Sequence, residues 1–181
     1  MYLSDRDIRQ AVLERDITLS DFDEKRLQAA SYDILLGNKF LILDTHSTPF
    51  IDPVKKILPK YHEIILTEDE TFILHPWVSI LWTSRDYFWS EKYLIELSGK
   101  SSLARIGLIV HNTAGLINPG HYLNITLELC NLNSVPIVLH PNMEIAQLLF
   151  SPISSIPEKM YHQGGRYAKD NWAGFKEKDT N

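Results

Sequence analysis

The chain has 181 residues, 44% of them hydrophobic and 23% charged, with a formal net charge of −5. This composition fits one soluble globular domain with a real core, and the acidic balance speaks against a duplex nucleic-acid binder, which needs a basic face. A single cysteine, Cys130, excludes an intramolecular disulfide and a Cys-based zinc cage. The opening residues "MYLSDRDIRQ" contain no cationic segment followed by an apolar run, and no later apolar run is long enough to span a bilayer. A reducing cytoplasm is the expected compartment, with no membrane partner.

In chain order, Ser4 to Arg15 reads as a helix. Ser4 is placed to cap it, with Asp7 at the capping-box position and Leu3 and Ile8 spaced as a hydrophobic staple. Ile8, Ala11, Val12 and Arg15 share one face. The pattern then changes to strands. "SYDILLGNKFLILD" is rich in β-branched and aromatic residues around a Gly-Asn turn signal at Gly37 and Asn38. "EIILT", "TFILHPWVSILWTS", "YLIELSG", "ARIGLIVHNTA", "LNITLELCN", "VPIVLHP" and "IAQLLFSPI" follow, each bounded by turn formers. Many short strands separated by turn signals predict an all-β sandwich, jelly roll or barrel. The segment 157–181 is polar, Gly-containing and basic-aromatic in its middle, either a frayed end or a flexible flap that orders over a ligand.

Two constellations carry candidate chemistry. In "NITLELCN", Ile125, Leu127 and Leu129 share one strand face, and Thr126, Glu128 and Cys130 share the other. Glu128 is either a solvent-facing glutamate or a carboxylate lining a cleft as a general base. Its Thr and Cys face-mates are not those of an open surface. Lys100, Ser101, Ser102 and Arg105 supply the ammonium, hydroxyl and guanidinium donors that hold phosphate oxygens, or else a polar connection between strands. His111, His121, His140 and His162 lack metal-site spacing and read as packing or surface residues. No zinc-deaminase signature, nucleophile elbow or dinucleotide fingerprint is present.

The run "GKSSLARIGLIVHNTAGLINPG", then "NITLELCN", then "PNMEIAQLLF", closely resembles the core of the dCTP deaminases of the dUTPase-like superfamily. "AASYDILLGNKF" and "LSDRDIRQAVLE" resemble their N-terminal motifs, and the likeness runs to about Tyr161. The resemblance implies a single distorted jelly-roll domain over 1–181 with an N-terminal helix, assembled as a homotrimer. It implies metal-independent deamination of dCTP to dUTP and ammonia, with Mg²⁺ carried by the nucleotide triphosphate and no zinc.

Roles follow position by position. Glu128 becomes the general acid–base. Ser101 and Arg105 orient the reactive water and, with Lys100 and Ser102, hold the triphosphate. The segment from His111 to Ala114 reads the pyrimidine through its backbone, assigning Asn112 and Ala114. Thr126 and Leu127 flank the glutamate, Gln147 belongs to the Ile-Ala-Gln-Leu strand, and Tyr161 contacts phosphate. Arg166 and Lys169 are the tail's candidates for a phosphate contact.

This chain departs from the family pattern in three places. Lys100 stands where the family has arginine, losing a bidentate fork but keeping a charge. The tail has Asp170 where a glutamine is usual. Asn118 replaces an aspartate that, in dUTPases and bifunctional members, activates the water attacking the α-phosphate. An amide has no useful proton affinity. The expectation is therefore deamination that stops at dUTP. The alternatives are a dUTP diphosphatase, a bifunctional enzyme giving dUMP, or a non-catalytic nucleotide-binding homologue.

Overall fold

The structure is a computed structural model that describes residues 1–172. In chain order it comprises α1 (Asp5–Leu13), β1 (Ile17–Leu19), a 3₁₀ turn (Glu24–Arg26), β2 (Leu27–Gln28), β3 (Ser31–Leu43), β4 (Tyr61–Ile65), β5 (Phe72–Leu74), β6 (Ser79–Ser84), β7 (Phe88–Ser90) and β8 (Tyr93–Gly99). Then come α2 (Ser101–Ala104), β9 (Leu108–Ile109), β10 (Leu116–Ile117), β11 (Thr126–Asn131), β12 (Ile137–Leu139), β13 (Glu144–Pro152) and a second 3₁₀ turn (Tyr161–Gln163).

The helix forms where the sequence predicts it but is shorter. It ends at Leu13, and Arg15 turns the chain in the left-handed region at φ 65°. Ser4 sits at the N-cap, yet its hydroxyl donates to the Asp7 carboxylate at 3.2 Å and leaves the backbone amides without a side-chain cap. What fixes the helix is burial. Ile8 is fully enclosed, which stabilises by about 1.5–3 kcal/mol. The Leu3 amide also donates to the Phe150 carbonyl on β13 at 2.9 Å.

Every strand pair is antiparallel, and the main sheet runs β10-β8-β13-β3-β6-β11-β9, with β2 and β4 also on β3. The curled sheet is the expected distorted jelly roll. Its spine is β3. The Gly-Asn pair at 37–38 does not turn the chain, as the sequence suggests. It lies inside one thirteen-residue strand, at a register shift between Leu36 and Phe40. Before the shift β3 pairs with β13 and, at Leu36, with β6; after it β3 pairs with β6 and β4. Gly37 is needed there because a Cβ would stand 2.7 Å from the Thr83 carbonyl oxygen. The Gly37 carbonyl also accepts from the Trp82 indole at 2.9 Å.

Trp82 stacks on Phe40 at 4.3 Å in a core that includes Tyr32, Leu36, Leu127, Leu129 and Phe150. "TFILHPWVSILWTS" divides into β5 and β6, because Trp77 adopts φ 63° between them. "ARIGLIVHNTA" keeps only β9 as strand. Among the described residues no helix is long and apolar enough to cross a membrane.

Candidate active site

The period of two along β11 places the central carboxylate. Leu127, Leu129 and Asn131 are buried, while Thr126, Glu128 and Cys130 are half-buried on the other face. Glu128 and Thr126 line a cavity of about 330 Å³ with Ala114, Asn118, His121, Tyr161, Tyr167 and Asn171. Leu81, Leu97, Ile117 and Ile125 make its apolar wall. The Asn112 amide donates to Glu128 Oε2 at 3.1 Å, so the segment after β9 orients the carboxylate through its backbone.

A tight turn after β10 supplies the opposite wall. Gly120 holds φ +82°, and the His121 amide donates to the Asn118 carbonyl at 3.2 Å. A side chain at 120 would meet Met160 Cβ at 2.9 Å and His162 Nδ1 at 3.0 Å, so glycine is required for the close approach of the tail. His121 packs its ring 5.2 Å from that of Tyr161. Its Nδ1 is enclosed and meets no hydrogen-bond partner among the described residues. Burial pushes the imidazole below the ordinary histidine value, favouring the neutral form.

The tail covers the cavity. The Tyr161 amide donates to the Pro119 carbonyl at 2.9 Å, and Tyr167 and Asn171 enter the lining. Trp172 is 2% exposed, and its indole N–H donates to Thr126 Oγ1 at 3.0 Å. Asn171 donates to the Asn124 carbonyl at 2.6 Å and to its side-chain oxygen at 2.8 Å. Through Trp172 the expected flap is therefore docked on its own chain. The remainder of 157–181, from 173 on, lies outside the described residues.

The other predicted residues separate into distinct groups. Lys100 does not face the cavity. Its ammonium is held by Asp33 Oδ2 at 2.5 Å and Glu144 Oε2 at 2.7 Å. Burial opposes its charge, but the hydrogen bonds and charges of the two carboxylates outweigh that and raise its pKa. Gln147 spends both ends internally, accepting from Ser31 Oγ at 2.9 Å and donating to the Gly99 carbonyl at 3.0 Å. It braces β3, β13 and β8 against one another. Leu127 points into the core, leaving only its backbone for a ligand. Ser101, Ser102 and Arg105 are exposed on or just after α2, and none lines the cavity. Arg166 and Lys169 are exposed outside it, while Tyr167 between them points in.

A model of the family described as dCTP deaminase-like matches residues 2–153. The chain belongs to that family. Its relatives include the "dCTP deaminase, dUMP-forming" of Nanoarchaeum equitans, 36% identical over 189 residues that cover 96% of this chain and 95% of the relative. The family's name is that of an enzyme, and this member is one too. Among solved structures, the 2′-deoxycytidine 5′-triphosphate deaminase of Agrobacterium tumefaciens has a TM-score of 0.62 and 21% identity. The likeness covers 82% of this chain and 46% of that one. The dUTPase of Streptococcus mutans, at TM-score 0.50 and 18% identity, covers 79% of this chain and 99% of its own. These likenesses show the dUTPase-like fold.

For a dCTP deaminase-like protein the cavity has a clear chemical polarity. Glu128 is the one carboxylate among its described lining residues, and amide, hydroxyl and imidazole groups stand around an apolar wall. The sequence reads His121 as a packing or surface residue and does not single out Tyr167 or Asn171 for the site. His121 had a signal: it follows directly on the Asn-Pro-Gly turn that carries Asn118. Tyr167 and Asn171 had none, because only the fold-back of the tail brings them in.

Proposed function

We propose that this protein hydrolyses the exocyclic amine of dCTP and carries the product on to dUMP. The observation that carries this reading is Glu128, the one carboxylate among the described lining residues, fixed by a backbone N–H in an apolar-walled cavity. Water adds to cytosine C4 and ammonia leaves. Glu128 takes the water proton, delivers it to N3, and then serves the departing amine. The dUMP-forming outcome draws its support from the printed name of relatives such as that of Nanoarchaeum equitans.

The second reading, release of dUTP, has one observation in its favour. Asn118 lines the cavity with an amide that cannot take a proton. The triphosphate enters as its Mg²⁺ complex, as part of the substrate. Ser101 and Arg105 reach it from a neighbouring copy in a homotrimer. Their exposure, with no side-chain partner among the described residues, supports a role outside their own chain.

One assay tests the proposal: incubate with dCTP and Mg²⁺ and resolve dCTP, dUTP, dUMP, pyrophosphate and ammonia. Ammonia, pyrophosphate and dUMP in equal amounts are expected, and Glu128→Gln lowers ammonia release by at least about 10²-fold. Accumulation of dUTP without pyrophosphate makes the second reading the correct one. A protein that binds dCTP without consuming it is the non-catalytic homologue.

A further inference from the structure

Formation of dUMP poses a chemical problem that this chain must solve with its own residues. Two hydrolyses are needed, one at cytosine C4 and one at the α-phosphorus. The deoxyribose separates these two atoms, so a carboxylate set beside C4 cannot accept the proton of a water aimed at the α-phosphorus in the same pose. A second proton acceptor must line the cavity. Asn118 is an amide and cannot serve. Among the described lining residues the titratable groups are Glu128, His121, Tyr161 and Tyr167. A phenol offers an O–H donor and lacks the basic lone pair that an imidazole nitrogen presents to a water proton.

We propose that His121 is the general base of the second hydrolysis, taking the proton of the water that attacks the α-phosphorus of dUTP. This rests on the dUMP-forming reading above. Three features of its placement carry the assignment. The ring stands at the end of the 118–121 turn, tied to Asn118 by its own amide, where the unreactive Asn118 amide also faces the cavity. The Tyr161 ring lies 5.2 Å away, so the imidazole is walled by an aromatic group with no charge to compete for its lone pair. Nδ1 is enclosed without a partner among the described residues, which leaves Nε2 as the ring nitrogen open to the cavity.

The attacking water, held under the tail, bonds the imidazole at Nε2, because the enclosed Nδ1 leaves no room for a water. The balance is complete. A water O–P bond forms and the bond from the α-phosphorus to the bridging oxygen breaks. The electron pair leaves with pyrophosphate, and the water proton goes to His121. Burial, which keeps the ring neutral, holds it in the form that can accept.

The test supplies dUTP and Mg²⁺ directly to the full chain, bypassing deamination, and measures pyrophosphate. His121→Phe keeps the packing on Tyr161 without a basic nitrogen, and His121→Gln keeps hydrogen-bonding capacity without basicity. Thermal melts confirm that each is folded, and the glutamine variant decides if the phenylalanine variant is not. Both are expected to release pyrophosphate at least about 10²-fold more slowly, and with dCTP their product shifts from dUMP to dUTP. Unmutated protein that splits dUTP while both variants do so equally fast overturns the assignment and leaves the dUMP reading intact. Unmutated protein that does not split dUTP at all overturns both.

Discussion

Trp172→Ala should release the tail from the cavity without unfolding the domain. The indole is 2% exposed, hydrogen-bonds Thr126 at 3.0 Å and lies 5.1 Å from the Lys39 ammonium. Truncating a buried Trp costs about 3–5 kcal/mol. The lower end applies here, because the segment holding Trp172 can detach and no core cavity has to persist. The lost hydrogen bond accounts for about 1 kcal/mol of that. A loss of about 3 kcal/mol shifts docking by roughly 10²-fold.

Trypsin reads this directly, since Arg166 and Lys169 are exposed residues of the docked segment. Cleavage after them should accelerate by about that factor, in step with the open population when opening is fast. The core, centred on Trp82 and Phe40, should melt within about 2 °C of the unmutated protein, because it shares no packing with Trp172. Unchanged cleavage, or a fall in melting temperature equal to that of Trp82→Ala, would refute the reasoning.

Asp86→Ala should be among the most damaging single changes. It strands the buried Arg26 guanidinium, now paired at 2.7 Å, and removes the acceptor for the Leu35 amide. A cost of about 3–5 kcal/mol is expected, read from urea midpoints. His121 should also contribute a pH dependence of stability. Its folded pKa lies below the ordinary 6.5, so its contribution is complete above that value and is lost as pH falls toward the lowered one. Glu128, Tyr161 and Tyr167 share the cavity with it and are unchanged in the variant. The melting temperature of His121→Phe should therefore fall less steeply than that of the unmutated protein across that range. Parallel curves would contradict the burial argument.

Much of the architecture can be read from local chemistry. Alternation in "NITLELCN" puts Glu128 and Thr126 on one face and Leu127 and Leu129 on the other, as the structure has them. The opening helix is equally legible from the spacing of Ile8 and Ala11. Gly37-Asn38 is not, because the same pair serves a hairpin or a bulge. The choice is made by Thr83 and Trp82, some forty-five positions away. Lys100 illustrates the same limit at the site. Beside two serines it reads as a phosphate ligand, yet its partners are carboxylates 67 and 44 positions distant. The docked tail was legible only as a possibility, since Trp172 carries no local sign of the groove it fills.

The long central strand also sets the order of assembly as the chain leaves the ribosome. β3 is made early, but the partner along its first half is β13, more than a hundred residues later. Until Glu144–Pro152 has emerged, Tyr32, Ile34 and Leu36 belong to a strand with an open edge and an uncovered apolar face. Such an edge pairs readily with other chains. The second half meets β4 and β6 much sooner. The nascent protein thus holds half a barrel in waiting, and its yield depends on how long that half stays shielded.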